Sequence, residues 1–339
     1  MKYELNKIPV KTTNSFNINS LKIDLFIPND FKSKKFKTVN TEEIDIKYIE
    51  KEEFNSNIGL KLDKALEVNI DIKESINDPI EFIYDFAGDN LINLININCF
   101  ENVEANIVFK YISKNEKSSF HHLKQVINVR KNANINVTVV NLLNDSSTSL
   151  IASESNVLED GVLIQNLIDI GGKIKISNYE STTYNGSASY LNNIYLGNNN
   201  DIIDMNYHYI NNGISSTTNI ESQGVLNNDA IKNFRGTIDF ISGCSKSVGK
   251  ENENCVLLSN SCVSRSVPIL LCGEENVEGA HSVSSGKIDE SKLFYMTSRG
   301  LKEEEAKKMI LMSNFNEIIS CVKNPQLEND LISIISDKI

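Results

Sequence analysis

The 339-residue chain has no tryptophan, five prolines, four histidines and no apolar run that approaches a bilayer's width. A membrane-spanning helix needs about 20 apolar residues. The best core-like stretch here is only Val267-Pro268-Ile269-Leu270-Leu271-Cys272. The opening Met1-Lys2-Tyr3-Glu4-Leu5-Asn6-Lys7 lacks the apolar segment of a secretion signal, so the expectation is a cytoplasmic protein with no membrane partner. An excess of bases is also missing: Lys and Arg total 34 against 45 Asp and Glu, a formal charge of −11. A chain this acidic repels phosphate backbones unless its bases cluster, and no cluster is written here, which argues against nucleic acid. Among the six cysteines no pair has C-x-x-C spacing, so no preformed zinc knuckle or ferredoxin-type site is encoded. The thiols are expected to be reduced.

Catalytic signatures are absent as well. Gly171-Gly172-Lys173 lacks the earlier glycine of a P-loop and runs into Ile174. No H-E-x-x-H, G-x-S-x-G or helix-opening G-x-G-x-x-G occurs, so no nucleotide site and no enzymatic activity are expected in this chain. A carbohydrate-active β-helix would need paired acids and aromatic platforms on one face, a remote reading for a chain without tryptophan.

What is present is alternation. The stretch from residue 80 to 267 holds no proline, and period-two patterns recur within it. Ile95, Ile97 and Cys99 alternate with Asn96 and Asn98; Ile135, Val137 and Val139 alternate with Asn134, Asn136 and Thr138; Ile174 and Ile176 alternate with Lys173 and Lys175. Each reads as a half-buried strand. Asn-rich corners separate them, including Asn144-Asp145-Ser146-Ser147 and Gly197-Asn198-Asn199-Asn200-Asp201, and Asn tolerates the left-handed backbone of tight turns. Two architectures fit: an antiparallel sandwich or barrel, and a parallel β-helix, with proline scarcity and long corners tilting toward the second. Residues 1–75 are mixed, 76–288 form the β core, and 289–339 turn helical. Asp289 suits an N-cap for a helix carrying Leu293, Phe294 and Met296, and Gly300 a stop. A second helix starts near Glu303-Glu304-Glu305 and runs through Leu311, Phe315, Ile318, Ile319 and Val322 to Pro325.

The segment around His281 is the most specific. It runs His281-Ser282-Val283-Ser284-Ser285-Gly286-Lys287-Ile288-Asp289, then Leu293-Phe294-Tyr295, Ser298-Arg299-Gly300 and Glu304-Glu305-Ala306. This resembles the carboxy-terminal signature of the SufB/SufD family of iron–sulfur cluster assembly scaffolds. Leu5-Asn6-Lys7-Ile8-Pro9 is similar to a SufD-type amino terminus, and Phe234-Arg235-Gly236 falls on an R-G strand motif of the family.

The resemblance implies a right-handed parallel β-helix with a short mixed amino-terminal region and a helical carboxy-terminal segment. It implies docking of the ATPase SufC on residues 289–339, through Leu293, Phe294, Tyr295, Arg299, Gly300 and Glu304. It also implies pairing with a SufB/SufD-type sister subunit, or a homodimer, through the end of the coil, where a transient Fe–S cluster or iron is held. His281 falls on the SufD-type interface histidine, and neutral imidazole is a competent iron ligand. The SufB-type cysteine position is Glu253 here and the SufB-type glutamate position is Ser282, departures that favour a SufD-like role. Cys255, Cys262 and Cys272 are the candidate thiolates and Glu278 a candidate oxygen ligand beside His281, with His281, Cys255 and Cys262 as the candidate metal ligands.

Plainer roles compete with each. Buried free cysteine usually behaves as a small hydrophobe. Cys255, ahead of Val256-Leu257-Leu258, and Cys272, behind Leu270-Leu271, are expected in the core, while Arg265 is placed to lower the pKa of Cys262. Adjacent His121 and His122 alternate faces on a strand and read as structural or surface residues. Glu274, Glu275 and Glu278 read as a solvated corner. The alternative function is a purely structural subunit of the same complex that contributes no ligand.

Overall fold

The alternating segments fold as strands climbing a β-solenoid of about 8 turns, in a computed structural model that describes residues 1–12, 18–31 and 35–339. Each turn gives one strand to each of two sheets. The first turn contributes Ala65–Ile72 and Ile80–Phe86, the last Val263–Cys272 and Glu278–Gly286. Strands of successive turns pair in parallel and in register, which decides for the β-helix over an antiparallel sandwich. One turn takes 26 residues where Thr148 stacks on Ile174 and 32 where Ile231 stacks on Val263.

Inward residues build the core. Ile95, Ile97 and Cys99 are fully buried inside, whereas Asn96 and Asn98 face outward and join amide ladders: Asn96 donates to Asn69 at 2.7 Å and Asn128 to Asn98 at 3.1 Å. Corners stack by the same logic. Asn102, Asn132, Asp160, Gly186, Ser215 and Lys246 all have positive φ, and each donates its backbone N–H to a carbonyl one turn further on. The left-handed corner is thus a property of the position, occupied by Asn in two turns and by other residues in four.

Both sheets are covered over part of their outer faces. The amino-terminal segment lays Leu5, Leu21, Phe54, Ile58 and Leu60 over Ile92, Leu94, Leu150 and Ile176. Its anchor is Asn6, whose side chain donates to Ser177 O (3.0 Å) and Asp204 Oδ1 (2.8 Å). Fully buried Arg235 clamps the same Asp204 through two bonds of 2.7 and 3.0 Å and donates its Nε to Ile18 O. The two motifs at the amino terminus and at Arg235 are therefore the two halves of one anchor. Under this layer Ile174 and Ile176 pack outward, and it is Lys175 that points into the coil, paired with Asp201 at 2.9 Å.

The opposite sheet carries the helices α1 (Glu290–Ser298), α2 (Glu303–Ser320) and α3 (Pro325–Lys338). Asp289 caps α1 by accepting from Ser291 and Lys292 N–H, and Gly300, at φ +97°, ends its turn. Leu311, Phe315, Ile318, Ile319 and Val322 seal α2 against Val140, Ile168, Ile194 and Val225 of the sheet. Pro325 does not end the helical region as its sequence position suggests. It opens α3 at the first helical position, behind an Asn324 cap, where its missing N–H costs nothing.

Candidate functional site

Among the described residues no strand lies beyond the last turn: Val263–Cys272 and Glu278–Gly286 stand at the edges of their sheets. Register settles which side chains face the hollow. Ser282 and Ser284 point outward, donating to Asn252 (2.6 Å) and Asn254 (3.0 Å), so Gly279, His281, Val283 and Ser285 face in. On the facing strand Ser264, Ser266, Pro268, Leu270 and Cys272 do the same; Ser264 and Ser285 meet across the mouth at 2.9 Å. His281 is exposed and sits in this mouth.

One turn below, His281 stands on Glu251, Val283 on Glu253 and Ser285 on Cys255. The two glutamates are two residues apart and live in different chemistries. Glu253 is fully buried and saturated: Lys232 Nζ lies 2.8 Å from Oε1, Ser266 donates to Oε2 at 3.0 Å, and the Tyr195 hydroxyl donates to Oε1. Glu251, 2% exposed, has no hydrogen-bond partner on either oxygen. Burial, and then the charge of Glu253, push its carboxyl up to about 8. Its headgroup lies against Gly236, where a Cβ would come within 2.4 Å of the carboxyl carbon and displace it.

The candidate ligands are only partly brought together. Cys255 is in the core as expected, its thiol pushed up chiefly by burial. A strand rises about 3.3 Å per residue, so its register partner Ser285 lies about 13 Å along the strand from His281. Cys272 is not in the core; the mouth leaves it exposed because no further turn covers it. Cys262 is half-buried, its Sγ 3.1 Å from Ser259 O, and Arg265 reaches Asn233 at 3.3 Å on the outer face. Glu278 is exposed at the start of the last strand, and Glu275 beside it is exposed too. Among the described residues no group of three or more His, Cys, Asp or Glu is placed to hold a metal ion.

His121 and His122 are both fully buried, which removes the surface alternative for them. His121 faces Asn93 inside the coil (3.2 Å), and His122 faces Ser56 of the amino-terminal layer (2.9 Å). Burial pushes both imidazoles down, His122 to about 3, so neither carries charge at neutral pH.

A second exposed surface lies on the helices. Phe294 (74%), Tyr295 (59%) and Met309 (55%) are bare, and α1 buries none of its residues. Arg299 stacks 5.3 Å over the Tyr295 ring, Leu293 is half-buried, and Gly300 and Glu304 are exposed beside them. Apolar side chains gathered on an outer helix are the usual mark of a protein contact. Glu251 and Lys232 escape a reading of the sequence alone: Lys250-Glu251-Asn252-Glu253-Asn254 looks like a solvated strand, and only the register turns its acids inward.

Comparison with known proteins converges on one family. The model of the SUF system FeS cluster assembly SufBD core domain matches residues 83–314. An iron–sulfur cluster assembly protein SufD of Bacillus subtilis is 22% identical over 78% of this chain and 62% of its own length. A SufD of Escherichia coli is 22% identical over 70% of this chain and 57% of its own. A SufBD family protein of Mycobacterium leprae reaches 37% identity over 26% of this chain and 22% of its own length. The chain thus spans about three fifths of the two SufD relatives. No helix among the described residues is long and apolar enough to cross a membrane.

Proposed function

The chain belongs to the SufBD family of SUF-system iron–sulfur cluster assembly proteins, and from that membership we propose that it is a SufD-like scaffold subunit. In this reading the open mouth of the coil seats a second SufB/SufD-type subunit, either a sister chain or another copy. Iron and sulfide are cargo, collected at that junction, and His281 offers an imidazole to the iron. The bare face of α1 and α2, with Phe294, Tyr295, Arg299 and Glu304, seats the ATPase SufC, whose cycle opens and closes the junction. The scaffold holds and releases; the hydrolysis belongs to its partner.

One observation carries the reading: the signature histidine is exposed and turned inward at the mouth, on a nine-residue strand with no outer neighbour among the described residues. The expected outcome of His281→Ala in the assembled complex is impaired cluster formation with an unchanged melting temperature. Cluster loading equal to wild type would remove His281 from the role.

The saturation of Glu253 at the SufB-type cysteine position, with Cys255 buried beneath the mouth, supports the second reading, a purely structural subunit. Replacing Cys255, Cys262, Cys272 and His281 together separates the two. A structural subunit still supports assembly, whereas a ligand-bearing one does not.

A further inference from the structure

A buried carboxyl with no partner is costly unless something else binds it, and nearly all buried polar side chains in folded proteins do find a partner. Glu251 has none on either oxygen, although Ser266, Tyr195 and Lys232 all serve Glu253 two residues away. The carboxyl rests on the bare backbone of Gly236, where a Cβ would displace it from its present position. Directly above, in register, is His281. Neighbouring strands lie about 4.8 Å apart, so an imidazole and a carboxylate in register on parallel strands are spaced to share one cation between them.

We propose that Glu251 and His281 form a two-donor half-site for a divalent cation at the mouth of the coil, with Glu251 the buried oxygen donor and His281 the exposed nitrogen donor. One carboxylate and one imidazole suit ferrous iron and its analogues, and two donors leave positions open for water, sulfide or a donor from the chain that closes the mouth. The pair also replaces the assignment of the oxygen ligand to Glu278, which lies three residues from His281 at the beginning of the strand. This inference rests on the reading of His281 as an iron donor.

The test uses Co²⁺ alone as probe, added anaerobically to the full chain and followed by its visible d–d absorption. The wild type is compared with Glu251→Gln, Glu278→Gln and His281→Ala. Glu251→Gln keeps the shape and removes an unpartnered buried acid, so it is expected to melt no lower than wild type, and any lost binding is not unfolding. The expected result is a loss of Co²⁺ affinity of tenfold or more in Glu251→Gln and in His281→Ala, with Glu278→Gln unchanged. Wild-type affinity in Glu251→Gln, with binding lost in His281→Ala, would overturn this inference and leave the role of His281 standing. Wild-type affinity and full cluster loading in His281→Ala would instead overturn the role of His281, and the half-site with it.

Discussion

The two ends of the coil face the same problem, a sheet edge with unpaired backbone groups above an open core, and they treat it in opposite ways. At the first turn, Asp45–Lys51 and Lys37–Val39 run antiparallel along the edge strands and close both sheets. The capping strand Asp45–Lys51 carries four charges in seven residues, which discourages further pairing. Phe36 plugs the hollow, edge-on to Phe82, Tyr84, Phe109 and Tyr111 at 5.8 to 6.3 Å. At the last turn no strand among the described residues covers either edge. Val263–Cys272 carries one charged residue, Arg265, and Glu278–Gly286 carries Glu278 with His281. Pro268, a residue tolerated only at sheet edges, breaks the first edge near its middle. A long, nearly uncharged edge is a liability in a lone chain and an asset in one that pairs. On the proposed function, the difference assigns stability to one end and recognition to the other.

The largest effect expected from this contrast is at the plug. Phe36→Ala leaves a cavity in the first turn and should cost about 3–5 kcal/mol, read as a drop in the denaturant midpoint. The amide-exchange rates of the last turn should stay as they were. Loss of protection at Glu278–Gly286 in that variant would mean that the two ends are not independent.

Between the ends, the sealed interior should penalise charge. Asp169 lies inside the coil, where burial, against the pull of Lys175 and a 2.6 Å bond from Asn141, pushes its carboxyl up to about 6 from 3.8. An acid with a raised folded pKa favours the fold fully below its unfolded value and loses that contribution as pH rises through the folded one. Asp169→Asn is therefore expected to stabilise the chain by about 1–3 kcal/mol at pH 7. The gain should shrink toward zero as pH falls from 6 to 4, a trend that thermal melts at three pH values would check. A gain that does not vary with pH would place the cost of Asp169 in packing instead of charge.

How much of this was legible in the chain depends on what alternation can encode. Period two announced strands at Asn90–Cys99 and Asn134–Leu142, and the Asn-rich corners announced turns that tolerate positive φ. Alternation does not say which face points inward when both faces are covered, and that is why Lys175, between two isoleucines, lies inside. The Asp289 cap gave α1 its start and the acidic run Glu303-Glu304-Glu305 gave α2 its start, whereas Pro325, ambiguous between stop and first helical position, hid α3. The histidine of the candidate site was readable through its motif. Its neighbour Glu251 was not, because 30 residues of sequence separate it from His281 and only the register joins them.

The smallest stability effect should come with a clear change in association. Val283 faces the mouth, 36% exposed, and Ile49 on the capping strand is 48% exposed. Lysine at either position should shift stability by no more than about 0.5 kcal/mol, since neither side chain is buried in the lone chain. Their effects on pairing should differ. A charge at position 283 is desolvated when a second subunit closes the mouth, so Val283→Lys is expected to weaken pairing at least tenfold in sedimentation experiments, while Ile49→Lys leaves it intact. Cys272 supplies an internal reporter: alkylated readily in the lone chain, it should be protected once the mouth is closed, with buried Cys255 unreactive throughout. If Ile49→Lys disrupts pairing and Val283→Lys does not, recognition belongs to the capped end, and the contrast between the two ends is reversed.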